Sequence, residues 1–339
     1  MAKVPTDKMD RVIFGRPSRI PLFLFSVCLF GFGQDRFASF ENTVFRVSPT
    51  NQISVVSLPL EPQWIAELRG STLPSAAPDG SYVAFIRGHD LWLYDAKSER
   101  SARMTHAGRP YTQTLASVET LISAWSADSS RLLLAVVPGD TECVDCETRG
   151  DWAARQYNYG YYIYDVGART LRKANLGKDF EVAALLEDGR VVGFANGCGD
   201  QPIQIVSPTG KVTAVPGSLN LCQLDVSKDG SSAVAAVFQS RSSFIVKLDL
   251  ITGESSRLRP VGAEREFQFP KLSLDLQHTA WIRDGTELMM DGRSIFSCSD
   301  PSLQFQWLGE QRIAGKCAHE MFVLEARTGR KLAKVVTPK

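Results

Sequence analysis

The residues able to do chemistry in this 339-residue chain are few and mostly isolated. Cys143-Val144-Asp145-Cys146 has the spacing of a zinc knuckle or a redox pair. A structural zinc site needs four ligands, and no second Cys or His pair at short spacing occurs. A thioredoxin-like motif requires a flanking strand and helix, whereas this pair sits among Asp, Glu, Thr and Gly. A local disulfide is the expectation. The four histidines, His89, His106, His278 and His319, are dispersed, and His89, His278 and His319 read as turn or core residues near strand starts. No Gly-x-Ser-x-Gly elbow for an activated serine occurs. Asp79, Asp188 and Asp229 sit in turns where a carboxylate accepts local backbone hydrogen bonds, and Asp95, Asp165, Asp249 and Asp291 end strands in the same way. No dense oxygen cluster of the calcium-loop kind is present. The expectation is therefore no catalytic residue, no metal and no cofactor.

Recognition chemistry concentrates in one place. Residues 151–164, DWAARQYNYGYYIY, supply Trp152, Tyr157 and Tyr159, with Arg149 and Arg155 close by. Aromatic rings beside arginines have the composition of an interface hot spot. Residues 161–164 read as a strand with alternate side chains in the core. The earlier rings belong to an insertion at 138–160, where they either meet a partner or fold back over their own sheet.

The elements that must position these residues repeat. In residues 71–105 a small-residue strand ends at Ala77, Pro78-Asp79-Gly80 makes a turn, and residues 82–87 alternate. Asp-Gly between two such runs signals a hairpin. Leu91-Trp92-Leu93-Tyr94-Asp95 and a polar outer strand complete four strands. Five further copies follow, and Asp165, Ser207, Asp249 and Asp291 are each 42 residues apart, a blade-like period. A blade cannot bury its faces alone, so the pattern predicts an all-β propeller of six four-stranded blades over residues 71–339. Residues 43–58 read as a hairpin without the first two strands of a blade. With the rest of 34–70 it either closes the ring beside the last blade or is the remnant of a seventh. In such a ring the loops joining second to third strands share a face with the blade-to-blade loops, around the axial mouth, and that face carries the insertion.

The ends and the cysteines bear on compartment. Five basic residues precede an uncharged apolar run at 20–32, which is shorter than the roughly 20 residues of a membrane span and has a secretory-signal layout. Gly31 and Gly33 suit a cut before Gln34, so residues 1–33 are expected to be a signal peptide, or an N-terminal anchor if uncleaved. Beyond Cys28 there are six cysteines, an even number that suggests disulfides in an exported chain. Neighbourhood along the chain favours Cys143 with Cys146, Cys198 with Cys222, and Cys298 with Cys317. Formal net charge is +1, with no basic run to track a phosphate backbone, which argues against a nucleic-acid partner.

The strings AAPDGSYVAFIRGHDLWLYD and LDVSKDGSSAVAAVF resemble the TolB-type, WD40-like repeat that also builds the propeller domain of prolyl-oligopeptidase-like peptidases. The resemblance covers about residues 71–335. The later turns depart from it: Asp128-Ser129 and Asp275-Leu276 lack the glycine. It implies a periplasmic or secreted propeller with a protein partner. The functional expectation is a monomeric, non-enzymatic propeller binding a protein, peptide or envelope component through its loop-bearing face, with membrane contact only through an uncleaved N-terminal segment. The alternative is a propeller enzyme of lactonase or lyase type with a metal at the axial mouth.

Overall fold

The computed structural model describes residues 35–41, 43–59, 74–87, 90–105, 118–138, 160–177, 179–195, 197–199, 201–239, 242–258 and 267–336. These residues belong to one compact unit, Gly33–Lys339. The leader-like residues 1–33, His89, His106, Cys143, Cys146, Arg149, Trp152, Arg155, Tyr157 and Tyr159 lie outside the described residues.

The described elements are strands, arranged in seven antiparallel sheets. Blade 1 (residues 36–56) has three strands, and the others have four: blade 2 (75–103), blade 3 (118–173), blade 4 (180–214), blade 5 (221–258), blade 6 (267–297) and blade 7 (304–336). Within each blade every strand pairs with its predecessor in sequence, because a short turn joins only antiparallel neighbours. In blades 2 to 7 the fourth strand is the most exposed. The second strand of blade 4, Val191–Ala195, is buried almost throughout, whereas the fourth strand of blade 3, Thr170–Lys173, is exposed at every position.

Side chains alternate between the two faces of a strand, so each blade must be covered on both sides. In Arg131–Pro138, Leu132 and Leu134 pack toward blade 2 with Leu91 and Leu93, while Leu133 and Ala135 pack toward blade 4 with Phe180 and Val191. Among the described residues there are seven hydrophobic clusters, and each bridges two successive blades. One of them joins blade 7 to blade 1 through Leu308, Ala314, Met321 and Val323 against Ala38, Phe40, Phe45 and Val47. Burying one such aliphatic or aromatic side chain is worth about 1.5–3 kcal/mol.

The turns after the first strands keep one geometry even where the sequence drifts. Gly80, Gly189 and Gly230 have φ of +78, +83 and +71°. Ser129 and Leu276, which replace the glycine in blades 3 and 6, take φ of +61 and +60°. The backbone conformation is retained although a left-handed non-glycine costs roughly 1–2 kcal/mol. Buried serines offset this: the Ser126, Ser227 and Ser273 hydroxyls donate to Asp128, Asp229 and Asp275 and accept the N–H groups of Arg131, Ser232 and His278. Asp79, Asp188 and Asp229 accept from the amides two residues on. Asp95, Asp165 and Asp249 cap the third-strand ends similarly. Asp291 differs: it accepts from the Thr279 amide at 2.9 Å and pairs with the His278 ring at 2.7 Å.

Blade 1 has a phase of its own. Its strands are β1 (Arg36–Phe40), β2 (Thr43–Val47) and β3 (Ile53–Val56). The start of β1 lies against the first turn of blade 2, with Arg36 Nη1 donating to the Pro78 carbonyl at 2.9 Å. Arg131, which begins the second strand of blade 3, donates in the same manner to the Glu187 carbonyl of blade 4. The Glu41 turn sits at the opposite end, paired with Lys316 at 2.6 Å. The β2–β3 turn returns to the first-turn end, where Arg312 donates to the Ser48 carbonyl and the Asn51 side chain. Across the interface with blade 7, β1 and β2 face its second and third strands, and Ile53 of β3 meets Leu332, Ala333 and Val335 of its fourth. The three strands thus correspond to the second, third and fourth of a blade. The hairpin expected at 43–58 is there, and β1 adds one of the two strands the sequence reading left out.

Close packing between strands leaves no room at two glycines. A Cβ on Gly193 would overlap the Glu181 carbonyl oxygen, and one on Gly315 would overlap the Phe322 ring. Gly193→Ala and Gly315→Ala are each expected to lower unfolding stability by about 1–3 kcal/mol, read as a shift in urea midpoint. The Asp229 carboxyl is held down to about 2, first by the Ser227 hydroxyl and then by the Ser231 amide and hydroxyl. A depressed carboxyl stabilises the fold above its unfolded value near 3.8 and loses that contribution as pH falls toward 2. The stability difference between wild type and Asp229→Asn should therefore shrink between pH 4 and pH 2, measured by urea unfolding at each pH.

Candidate functional site

The first strands of blades 2 to 7 and the inward side of β1 surround a cavity of about 800 Å³. All seven blades contribute lining residues, so the cavity lies on the ring axis. Its walls are unequal. Blades 3 and 4 present small side chains, Ser123, Ala124, Ala183 and Ala184, whereas blades 5 and 6 present Asp225, Gln268, Phe269 and Lys271. Gln304, Gln306 and Trp307 of blade 7 and Arg36, Phe37 and Ser39 of β1 complete the circuit.

A shared irregularity shapes this wall. In blades 3, 4, 5 and 6 the inner strand carries one residue more than its partner, at Ile122/Ala124, Val182/Ala184, Cys222/Asp225 and Gln268/Lys271. Such bulges bend a strand and re-aim its side chains. In blades 5 and 6 the extra residue sits in left-handed backbone, Gln223 at φ +50° and Phe269 at φ +52°. A phenylalanine in that region is a genuine outlier. The two positions are joined, because the Gln223 side-chain oxygen accepts the Phe269 N–H at 2.7 Å. Phe269 is 51% exposed in consequence. Nearby, Asp225 accepts from Lys271 Nζ at 3.1 Å and from the Leu272 amide at 2.8 Å.

This wall offers an aromatic face, amide groups and an ion pair within one concave space. Such a mixture can hold a ligand by apolar contact and orient it by a few hydrogen bonds. Among the described residues no group of three His, Cys, Asp or Glu side chains is placed to hold a metal ion.

The sequence-predicted residues divide into two sets. Cys198–Cys222 and Cys298–Cys317 are disulfides, with Cα–Cα distances of 5.1 and 5.8 Å, as their neighbourhood in the chain suggested. The first ties the segment after the second strand of blade 4 to the start of blade 5's inner strand. The second ties the end of blade 6's outer strand to the end of blade 7's second strand. Strand direction puts both on the face away from the first turns, the loop-bearing face. Pro138 and Gly160, which flank the insertion, end their strands on that face too, since Gly160 pairs with Val136. The aromatic and arginine residues of the insertion lie outside the described residues. Tyr161 and Ile163 are buried as the alternation predicted, and Tyr164 on the other face is buried as well, because both faces of the blade are covered; burial pushes the Tyr161 hydroxyl's pKa up, and that hydroxyl donates to the Phe180 carbonyl.

Sequence reading missed the axial wall because its residues are scattered over seven strands. One signal was present: Pro270, inside the run FQFPKL at Phe267–Leu272, cannot donate to a ladder and marks an edge or a bulge.

No family model matches the chain, and no curated protein sequence matches it significantly. Among solved structures it is similar to an oligogalacturonate lyase in complex with manganese, at 13% identity and a TM-score of 0.53 over 81% of this chain and 79% of that one. It is also similar to the uncomplexed acylaminoacyl peptidase of Pyrococcus horikoshii, at 14% identity and a TM-score of 0.53 over 89% and 52%. TolB from Acinetobacter baumannii matches at 14% identity and a TM-score of 0.45 over 88% and 62%. The chain thus spans less than two thirds of the TolB and peptidase chains. Likeness to the lyase and the peptidase at these identities shows the fold alone, and with the seven sheets described above this is a β-propeller protein, seven-bladed and mostly four-stranded.

Cross-links that close loops of 24 and 19 residues stabilise by about 3 kcal/mol each in the chain-entropy account. Replacing both cysteines of either pair by serine is expected to lower unfolding stability by roughly that amount, measured by denaturant titration without reductant.

Proposed function

We propose that the protein is an exported, non-enzymatic β-propeller that binds a protein or peptide partner through its loop-bearing face and the axial cavity beneath it. The observation that carries this reading is Phe269, held half exposed in the cavity by strained backbone and by the Gln223 side chain. Strain of this kind persists where surrounding structure over-determines it, and it clusters at ligand sites. An aromatic ring in a concave, mixed-polarity space suits a side chain of a partner better than it suits bulk water.

Export is supported by the basic and apolar leader pattern of residues 1–33 and by paired cysteines, which persist in oxidising compartments. Resemblance of the repeat to the TolB type favours the periplasm or a secreted location. The rings of Trp152, Tyr157 and Tyr159 belong to the same proposed surface, since the strands flanking their insertion end on the loop-bearing face.

The test is photo-cross-linking in the producing cell. A benzophenone side chain at position 269 is expected to yield a discrete adduct with another polypeptide, as is one at 157, whereas one at Ile251, 76% exposed on a third-to-fourth-strand turn of blade 5, yields none. Absence of an adduct at both 269 and 157, or a stoichiometric divalent ion in metal analysis of the purified protein, would overturn the reading.

A further inference from the structure

Six blades have an inner strand at the axis, and blade 1 has none among the described residues. Its β1 occupies the second-strand position, as the direction of its strands and their partners in blades 2 and 7 require. The inward edge of β1 therefore faces the cavity directly, and Arg36, Phe37, Ser39 and Phe40 line it. Within β1 the ladder to β2 runs from Arg36↔Val47 to Phe40↔Thr43. The Ser39 N–H turns the other way, toward the axis, and donates to the side-chain oxygen of Gln306 at 3.3 Å. A side chain stands there where a strand stands in the other blades. Beside it the Trp307 indole N–H is buried without a hydrogen-bond partner.

We propose that the inner-strand position of blade 1, which no described residue fills, is a β-augmentation slot that accepts an extended segment of another polypeptide as the fourth strand of blade 1. The chain supplies its own templates for the occupant. Inner strands of four to six residues fill the equivalent place in blades 4 to 7, Phe180–Leu185 and Gln304–Trp307 among them. They run from the loop-bearing face to the first-turn face, so an occupant of the same sense lies antiparallel to β1 with its C-terminal end beside Arg36. That end of the slot carries Arg36 and Arg312, while the neighbouring Asp35 is engaged by Arg46. Arg312 stands close enough that Arg36, after burial, contributes to lowering its pKa, and its own hydrogen bonds go to the Ser48 carbonyl and the Asn51 side chain. The other end carries the Lys316–Glu41 pair, whose charges cancel. Charge complementarity selects a segment that ends in a free carboxylate or an acidic residue. Strand addition gives affinity through main-chain hydrogen bonds and specificity through alternate side chains; here these would meet Phe37 and Phe40 and the blade 7 wall at Gln306 and Trp307.

The inference rests on the binding function proposed above and names its mode. The test uses purified full-length protein and fluorescent seven-residue peptides copied from residues 180–186 and 303–309, with free C-terminal carboxylates, read by anisotropy. Saturable binding is expected, at least tenfold weaker when alternate peptide nitrogens are methylated and about threefold weaker when the C terminus is amidated. Ser39→Pro removes the inward N–H but no bond of the β1–β2 ladder, a position where proline is tolerated at sheet edges. It should weaken binding at least tenfold with Tm within about 2 °C of wild type, while Ser39→Ala, which keeps the N–H, binds normally. Undiminished binding of methylated peptides, or equal binding by folded Ser39→Pro, would remove the slot. So would failure of every peptide to bind, including failure because residues before Asp35 already fill the position. If the position-269 cross-link persists in such a case, the binding function stands and only this mode of it falls; if the cross-link is absent as well, both fall.

Discussion

Everything in this molecule depends on one constraint: a four-stranded antiparallel sheet has two apolar faces, and no blade can cover either by itself. Alternation along each strand sends Leu132 and Leu134 to one neighbour and Leu133 and Ala135 to the other. The core is consequently divided among interfaces, seven clusters for seven pairs of neighbours, and no cluster belongs to a single blade. Stability in such an arrangement is a sum over neighbour contacts. The contact between blade 7 and blade 1 is therefore as necessary as any other, although its residues lie near opposite ends of the described chain.

That dependence has a geometric consequence at the axis. Inner strands are the shortest path around the ring, so their side chains must be small or turned away, which accounts for Ser75, Ala76, Ala124, Ala183 and Ala184. Larger side chains enter the wall at Trp125, Trp307 and Phe37, and in blade 6 Phe269 does so from a bulge in left-handed backbone. The bulges of blades 3 to 6 recur at one level of the ring. Bulging thus belongs to the architecture, and what differs between blades is the residue each bulge presents. Ser123 and Ala183 in blades 3 and 4, against the left-handed Phe269 in blade 6, make an asymmetric cavity from a repeating frame.

The three described strands of blade 1 meet the blades on both sides, because those interfaces are built chiefly from second and third strands. Among the described residues no inner strand lies beside β1, and the inward Ser39 N–H is met by the Gln306 side chain. The two disulfides lie on the loop-bearing face, where strand ends are joined by longer connections and hydrogen bonding alone constrains them least.

The sequence by itself determined the repeat and the turns. Pro78-Asp79-Gly80 and its copies are local devices, set by backbone conformations within five residues, and so they are legible one at a time. The pairing of Cys198 with Cys222 and Cys298 with Cys317 was legible for a related reason, since each joins neighbouring elements. The degenerate turns at Ser129 and Leu276 keep the serine–aspartate bonds of the glycine turn at Ser227–Asp229, which hold the same backbone conformation. Only the tertiary structure decided the phase of blade 1, the left-handed Phe269 and the union of seven inner strands around one cavity. These depend on contacts between residues 40 to more than 250 positions apart, such as Gln223 with Phe269 and Ser39 with Gln306. A linear pattern records which face of a strand is apolar; it does not record which neighbour that face will meet.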